Sequence, residues 1–85
     1  MKIRPKKSLG QNFLSDKNII KSIVEIGNIK NNNTVLEIGP GKGNLTEFIL
    51  KKNPKNFFVI EKDHNLIKLL YKKFNNKINI INKDI

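Results

Sequence analysis

The stretch Thr34-Val35-Leu36-Glu37-Ile38-Gly39-Pro40-Gly41-Lys42-Gly43-Asn44-Leu45-Thr46 decides the fold of this chain. An apolar run rich in β-branched residues stops at three alternating glycines, and apolar residues at helical spacing follow, which predicts a strand, a tight loop and a helix. Glycine adopts positive φ and has no Cβ, so a ligand can lie against the loop amides near the positive end of the helix. The end of this strand is therefore a predicted small-molecule site.

The spacing of the glycines narrows the choice of ligand. The loop has the form G-x-G-x-G, whereas the dinucleotide fingerprint G-x-G-x-x-G requires a glycine where this chain has Asn44. The phosphate-loop pattern that ends in Gly-Lys-Ser/Thr is absent as well. These departures weaken the case for a nicotinamide or flavin site. The structural alternative is a Gly-Pro-Gly turn that only reverses the chain.

The composition bounds the kind of protein and its partners. The chain has 85 residues, 17 of them basic and 7 acidic, with a formal net charge of +10 and a pI near 10.1. This balance favours polyanions such as nucleic acid or an anionic membrane surface. Lysine, asparagine and isoleucine are so abundant that codon usage explains part of the charge. We expect one domain at most.

The same composition excludes several classes of site. The chain has no cysteine and one histidine, His64, so it offers neither a disulfide framework nor a thiolate or histidine-cluster metal site, and we expect no metal. No apolar run approaches the length of a membrane span, and the basic start lacks the hydrophobic core of a secretory signal. The expectation is a cytoplasmic protein with no membrane partner.

The first eight residues form a basic segment. Lys2, Arg4, Lys6 and Lys7 surround a proline without any apolar period, which predicts a flexible arm. Such an arm can bind a phosphate backbone with an affinity that depends on salt and not on sequence. A solvated terminus without a partner is the equal alternative.

Apolar periodicity predicts the remaining elements. Asp16 or Ser15 can cap a helix whose apolar stripe extends as far as Ile26. The continuous apolar run 57–60 is typical of a strand buried on both faces of a parallel sheet. The predicted elements are a helix over 18–26, a strand over 34–38, a helix over 44–52, a strand over 57–60, a helix capped by Asp63 and lined by Leu66, Ile67, Leu69, Leu70 and Phe74, and a strand over 78–82.

Carboxylates follow two of these strands. Glu61 comes about twenty residues after the glycine loop, where a carboxylate can accept hydrogen bonds from both hydroxyls of a ribose. Asp84 follows the third strand in the same way. Because ligands in open α/β sheets bind at the carboxyl ends of strands, both are candidate site residues. The alternatives are an exposed charge at a strand end and a turn aspartate.

Several motifs resemble one protein family. The run Lys6-Lys7-Ser8-Leu9-Gly10-Gln11-Asn12-Phe13-Leu14 is similar to the start of the bacterial small-subunit ribosomal RNA adenine dimethyltransferases. The glycine loop, Val59-Ile60-Glu61-Lys62-Asp63 and Asn82-Lys83-Asp84 resemble the cofactor loop and the ends of the next two strands in that family. Relatives that methylate large-subunit RNA and confer macrolide resistance share Gln-Asn-Phe-Leu, but Leu9-Gly10 and Pro40 look more like the small-subunit enzymes.

The resemblance implies a fold, a cofactor and a division of the chain. The fold is a Rossmann-like, class I methyltransferase α/β fold with parallel strands in the order 3-2-1, and the cofactor is S-adenosyl-L-methionine. Residues 1–15 would be a basic arm and cofactor-lining loop, and 16–85 a partial cofactor-binding domain whose first strand has an unpaired edge. The implied cofactor contacts are Asn12 and Leu14 at the methionine end, Gly39 and Gly41 in the loop, Glu61 at the ribose and Asp84 at the adenine.

The resemblance also implies an activity. Family members dimethylate N6 of two adjacent adenines near the 3′ end of small-subunit ribosomal RNA, so the expected partner is that RNA or a pre-30S particle, bound by a monomer. The family's Asn-Leu-Pro-Tyr-like catalytic motif is absent from these 85 residues, so no catalytic residue is assigned and we expect the chain alone to be inactive. The alternatives are a large-subunit methyltransferase and a non-catalytic RNA-binding remnant.

Overall fold

The computed structural model describes residues 2–3, by their backbone, and residues 16–85. From residue 16 onward, every predicted helix and strand is present, and the bounds differ from prediction by one residue at most. The elements are β1 (Lys2–Ile3), α1 (Lys17–Gly27), β2 (Thr34–Ile38), α2 (Asn44–Lys51), β3 (Asn56–Glu61), α3 (His64–Phe74), a 3-10 turn (Asn75–Lys77) and β4 (Asn79–Asn82).

Aspartate caps start two of the helices. Asp16 Oδ1 accepts hydrogen bonds from two amides in the first turn of α1, at 2.9 and 3.3 Å. Asp63 Oδ1 does the same for α3, at 2.8 and 3.3 Å. Each cap satisfies amides that would otherwise have no partner and contributes about 1 kcal/mol. The predicted capping roles of Asp16 and Asp63 are confirmed, whereas Ser15 lies outside the described residues.

The four strands form one parallel sheet in the order β1-β2-β3-β4. The three predicted strands are β2, β3 and β4, and their adjacency agrees with the predicted order 3-2-1 read from the opposite edge. β1 corrects two expectations, because Lys2 and Ile3 pair with Leu36 and Glu37 at an edge predicted to be unpaired, in a segment predicted to be a flexible arm. Backbone groups on an open edge can pair with any extended segment, so side-chain pattern did not signal this strand.

One hydrophobic core lies between the three helices and a single face of the sheet. The strand residues Val35, Phe57 and Val59 alternate along β2 and β3 and point into it, since side chains two apart share a face. Burying side chains of this size stabilises the fold by about 1.5–3 kcal/mol each. The helix residues in the core are Ile20 and Val24 from α1, Leu45 and Ile49 from α2, and Leu70 and Phe74 from α3.

The opposite face of the sheet is less covered. Leu36, Phe58, Ile60 and Ile81 alternate with the core residues and are half-buried. The prediction that β3 is buried on both faces is therefore wrong for the described residues, because all three described helices contribute to the core on the first face. The two predicted apolar stripes are also narrower than expected, since Ile26 and Leu69 are exposed.

Candidate functional site

The glycine loop joins β2 to α2 at the carboxyl ends of the strands. Gly39, Gly41 and Gly43 have φ values of +67°, +58° and +86°, in the left-handed region that other residues rarely adopt. The Gly39 amide donates to the Ile60 carbonyl at 2.8 Å, and the Gly43 amide donates to the Pro40 carbonyl at 2.9 Å. The loop is thus fixed in shape and tied to the end of the neighbouring strand.

The three glycines serve different purposes. A Cβ on Gly43 would lie 2.5 Å from Cε2 of Phe74 and 3.2 Å from Cδ2 of Leu70, so this glycine lets α3 pack against the loop. Among residues 16–85, no heavy atom would lie within 4 Å of a Cβ on Gly39 or Gly41. The described part of the chain therefore leaves space beside the backbone at these two positions, where the sequence places a ligand.

Glu61 closes β3 and lies beside the loop. Its side chain is largely buried, and its Oε2 accepts hydrogen bonds from the amides of Lys62 and Asp63 at 2.9 and 3.0 Å. Among residues 16–85, none donates to the other oxygen, Oε1. The backbone therefore orients the carboxylate and leaves one oxygen able to accept a hydrogen bond from a ligand hydroxyl.

The segment after β4 meets the same edge of the sheet. The Lys83 amide and the Asn82 side-chain amide both donate to the Glu61 carbonyl, at 3.2 and 3.1 Å. Asp84 is exposed and lies two residues beyond the end of β4. The backbone thus places the residues Glu61 and Asp84 at one edge of the sheet, as the sequence predicts.

The side chains of the remaining predicted site residues are not among those that the structure describes. Asn12, Leu14, Arg4, Lys6 and Lys7 lie outside the described residues. Lys2 is described only as a backbone position in β1. What the structure assembles is therefore the glycine loop, Glu61 and Asp84.

Glu37, the acidic residue before the glycine loop, was not among the site residues predicted from the sequence. Its side chain is fully buried in β2, two residues before Gly39. Its Oε1 accepts a hydrogen bond of 2.6 Å from the Thr46 hydroxyl of α2, whereas Oε2 has no partner among the described residues. Burial raises the pKa of Glu37 to about 7, against the opposing effect of the Thr46 hydrogen bond. The available signal was an acidic residue inside an apolar strand directly before the glycines.

The Glu37–Thr46 hydrogen bond spans the glycine loop. It joins the fourth residue of β2, before the loop, to the first turn of α2, after the loop, and both side chains are fully buried. Hydrogen bonds of this kind are strengthened where water is excluded. The bond therefore holds β2 and α2 at the separation that keeps the loop open.

Two kinds of feature are absent from the described part of the chain. None of its helices is long and apolar enough to cross a membrane. Within the same residues, no three His, Cys, Asp or Glu side chains converge as ligands for a metal ion. The geometry around the glycine loop is thus the main chemical feature of the described residues.

Comparison with known proteins gives one family. The model of the family described as ribosomal RNA adenine dimethylase matches residues 3–85. Relatives named ribosomal RNA small subunit methyltransferase A include one from Pelagibacter ubique, 56% identical over all of this chain and 32% of the relative. Another from Hydrogenobaculum sp. is 48% identical over 96% of this chain and 32% of the relative. The chain spans about a third of the length of the curated relatives it matches.

Proposed function

Because the chain belongs to the ribosomal RNA adenine dimethylase family, we propose that it forms the S-adenosylmethionine-binding part of an enzyme that dimethylates adenines of small-subunit ribosomal RNA. The family consists of S-adenosylmethionine-dependent methyltransferases with a Rossmann-like fold, so the resemblance drawn from the sequence is confirmed. The names of the relatives favour small-subunit RNA over large-subunit RNA as the substrate.

One observation carries this proposal. The described residues leave space beside the backbone of Gly39 and Gly41, and the Gly39 amide bonds the residue directly before Glu61, whose carboxylate the backbone orients. A cradle with no Cβ suits a ligand that lies flat against the chain, and a fixed carboxylate oxygen suits a diol. The residues present therefore fit S-adenosylmethionine, which supplies an electrophilic methyl group when it is bound.

Each candidate residue has a proposed role at the cofactor. Gly39 and Gly41 bring backbone close to the methionine end, with Asn12 and Leu14 beside them. Glu61 accepts hydrogen bonds from the ribose hydroxyls through Oε1, and Asp84 accepts one from the exocyclic amine of the adenine. These groups orient the cofactor, and orientation is the main contribution a protein makes to a transfer between two bound reactants.

The acceptor and the setting are parts of the same proposal. We infer that the acceptors are two adjacent adenines near the 3′ end of small-subunit ribosomal RNA, in the free RNA or in a pre-30S particle. The excess of basic residues supports an RNA partner, and the proposed contacts include Lys2, Arg4, Lys6 and Lys7. The proposed state is a cytoplasmic monomer, which size-exclusion chromatography with light scattering tests.

Calorimetric titration with S-adenosylhomocysteine tests the cofactor site, with NADH as the control ligand. The chain should bind the first saturably and the second not at all. Glu61→Gln should weaken binding about ten- to hundredfold, since a hydrogen bond to a charged group contributes about 1.5–3 kcal/mol. Glu25→Gln is the matched control, because Glu25 lies on α1 and pairs with Lys52, and it should leave binding unchanged.

Two results would contradict the proposal. The first is equal binding of NADH and S-adenosylhomocysteine. The second is a folded chain, by far-UV circular dichroism, that binds neither ligand. If that chain still binds RNA, the non-catalytic RNA-binding alternative replaces the enzyme.

A further inference from the structure

A basic groove lies at the end of the sheet opposite the glycine loop. It runs between the C-terminal ends of α2 and α3 and the starts of β3 and β4, with a volume of about 780 Å³. Helices in a βαβ unit run antiparallel to the strands, so this edge and the cofactor edge are at opposite ends of the sheet. The groove therefore lies mainly at the other end of the sheet, and two residues of its lining, Lys73 and Phe74, also contact the glycine loop.

Four lysines line the groove and one glutamate shares it. They are Lys51, Lys55, Lys73 and Lys77, with Glu47 as the acidic residue. All four lysines are exposed. Within residues 16–85 the one ion pair joins Lys52 to Glu25, so no described carboxylate lies within 4.0 Å of a groove lysine. The groove thus holds a positive charge that the described part of the chain does not neutralise.

Aromatic rings and the backbone hold two of these lysines in place. Lys51 Nζ lies 4.6 Å from the centroid of the Phe48 ring, and Lys73 Nζ lies 5.4 Å from that of Phe74. Lys73 Nζ also donates to the Lys42 carbonyl at 3.2 Å. Cation–π contacts at this range restrain an ammonium group without neutralising its charge. The ammonium groups of Lys51 and Lys73 are therefore held in fixed positions in the groove.

The other two lysines flank the starts of neighbouring strands. Lys55 precedes β3 and Lys77 precedes β4, and neighbouring strands lie about 4.8 Å apart. Between them, the Asn56 and Asn79 side-chain amides donate to Thr34 Oγ1 at 3.2 Å and to the Phe57 carbonyl at 3.0 Å. Among residues 16–85 no donor bonds the side-chain oxygen of Asn56 or Asn79, so both oxygens can accept a hydrogen bond from a ligand.

We propose that this groove binds a single strand of RNA, with the lysines on its phosphates and the asparagine oxygens accepting from ribose 2′-hydroxyls. Phosphates match unneutralised ammonium groups, ribose 2′-hydroxyls can donate to amide oxygens, and a net charge of +10 is typical of proteins that bind nucleic acid. RNA is accordingly favoured over an acidic protein. That the ligand is RNA rests on the proposed function. That it binds here rests on the shape and charge of the groove. It gives the enzyme a second RNA contact at the far end of the sheet from the methyl donor.

Fluorescence anisotropy with a labelled, mixed-sequence RNA of about twelve nucleotides tests the groove, since single-strand sites span roughly 4–16 nucleotides. The unmodified chain is compared with the double variant Lys55→Gln/Lys77→Gln. This variant keeps Lys73, the groove lysine that donates to the glycine-loop carbonyl of Lys42. The matched control is Lys17→Gln/Lys21→Gln, which removes the same charge from exposed positions of α1. Titrations at several KCl concentrations give the slope of log K against log salt.

The groove variant should lower the salt slope by about 1.4 and weaken binding about 25-fold at 100 mM KCl, because each phosphate contact on a single strand contributes roughly 0.7 to the slope. The α1 variant should change affinity less than about threefold. Equal losses in the two variants would overturn the proposal in favour of diffuse charge. So would competition by polyglutamate as strong as that by RNA of equal charge.

The two proposals fail separately in this design. Calorimetry with S-adenosylhomocysteine on the groove variant should match the unmodified chain, because no altered residue lies at the cofactor edge. A groove effect without cofactor binding would contradict the proposed function and leave the groove standing. Cofactor binding without a groove effect would contradict the groove alone.

Discussion

The two ends of the sheet are built on different principles. At the carboxyl end, the glycines have positive φ, and the Glu61 carboxylate is oriented by two backbone amides. At the amino end, four exposed lysines surround a groove and none has a described carboxylate partner. The first end is specified by backbone geometry, so single changes there alter shape. The second is specified by charge, so changes there should add up and depend on salt.

Replacing Gly43 should have the largest effect of any change at the carboxyl end. Gly43→Ala places a Cβ 2.5 Å from the Phe74 ring at a φ of +86°, and we expect a loss of about 3 kcal/mol or more from overpacking and backbone strain together. Urea unfolding measures it. Gly41→Ala is the matched control, because no described atom lies within 4 Å of its Cβ, and it should cost about 1 kcal/mol. Equal losses of unfolding free energy in the two variants would show that the packing of Phe74 does not require a glycine at position 43.

Glu37 should make stability depend on pH. Its pKa rises from 4.5 to about 7 on folding, so the folded chain holds a proton that the unfolded chain releases between these values. The stability this proton confers is complete below about pH 4.5 and is lost as the pH rises through 7, by up to about 3 kcal/mol.

Glu37→Gln tests that dependence, because glutamine keeps an acceptor for Thr46 and has no charge. The variant should be as stable as the unmodified chain near pH 5 and more stable near pH 8, measured by urea unfolding at both values. Glu47→Gln, an exposed change on α2, is the control and should leave the difference between the two pH values intact. If Glu37→Gln still lost stability between pH 5 and pH 8, a group other than Glu37 would cause the pH dependence.

Gly39→Ala should separate binding from folding. A methyl group there meets no atom of the described residues within 4 Å but enters the space assigned to the cofactor. We therefore expect a stability cost of about 1 kcal/mol from the positive φ and a larger loss of S-adenosylhomocysteine binding. Calorimetry and urea unfolding on one sample give both values. Unchanged cofactor affinity would place the ligand elsewhere.

The smallest effect is expected at the amino end. Lys52→Gln removes the ion pair with Glu25, which is partly exposed on both sides, and pairs of this kind contribute at most about 1 kcal/mol. Thermal unfolding at low and high salt should differ little from that of the unmodified chain. A large loss would mean that the Lys52–Glu25 ion pair contributes more to the fold than partly exposed pairs usually do.

Predictions from the sequence were most accurate where the signal is local. The helices and strands from residue 16 follow from the periodicity of apolar residues. The caps at Asp16 and Asp63 follow because an aspartate side chain accepts from the amides of the helical turn that comes directly after it. The meeting of Gly39, Glu61 and Asp84 at one edge follows from the rule that parallel strands share their carboxyl ends. Their roles at the cofactor stay predictions.

The sequence by itself determined the order of the elements, the glycine loop and the family, because these depend on residues close together in the chain. Only the tertiary structure decided that the Phe74 ring packs where a Gly43 side chain would lie, that burial changes the pKa of Glu37, and that Lys2–Ile3 pairs with β2. It also brought Lys55 and Lys77 to one groove. The physical reason is that burial and contact depend on which elements pack together, and local pattern does not encode that choice.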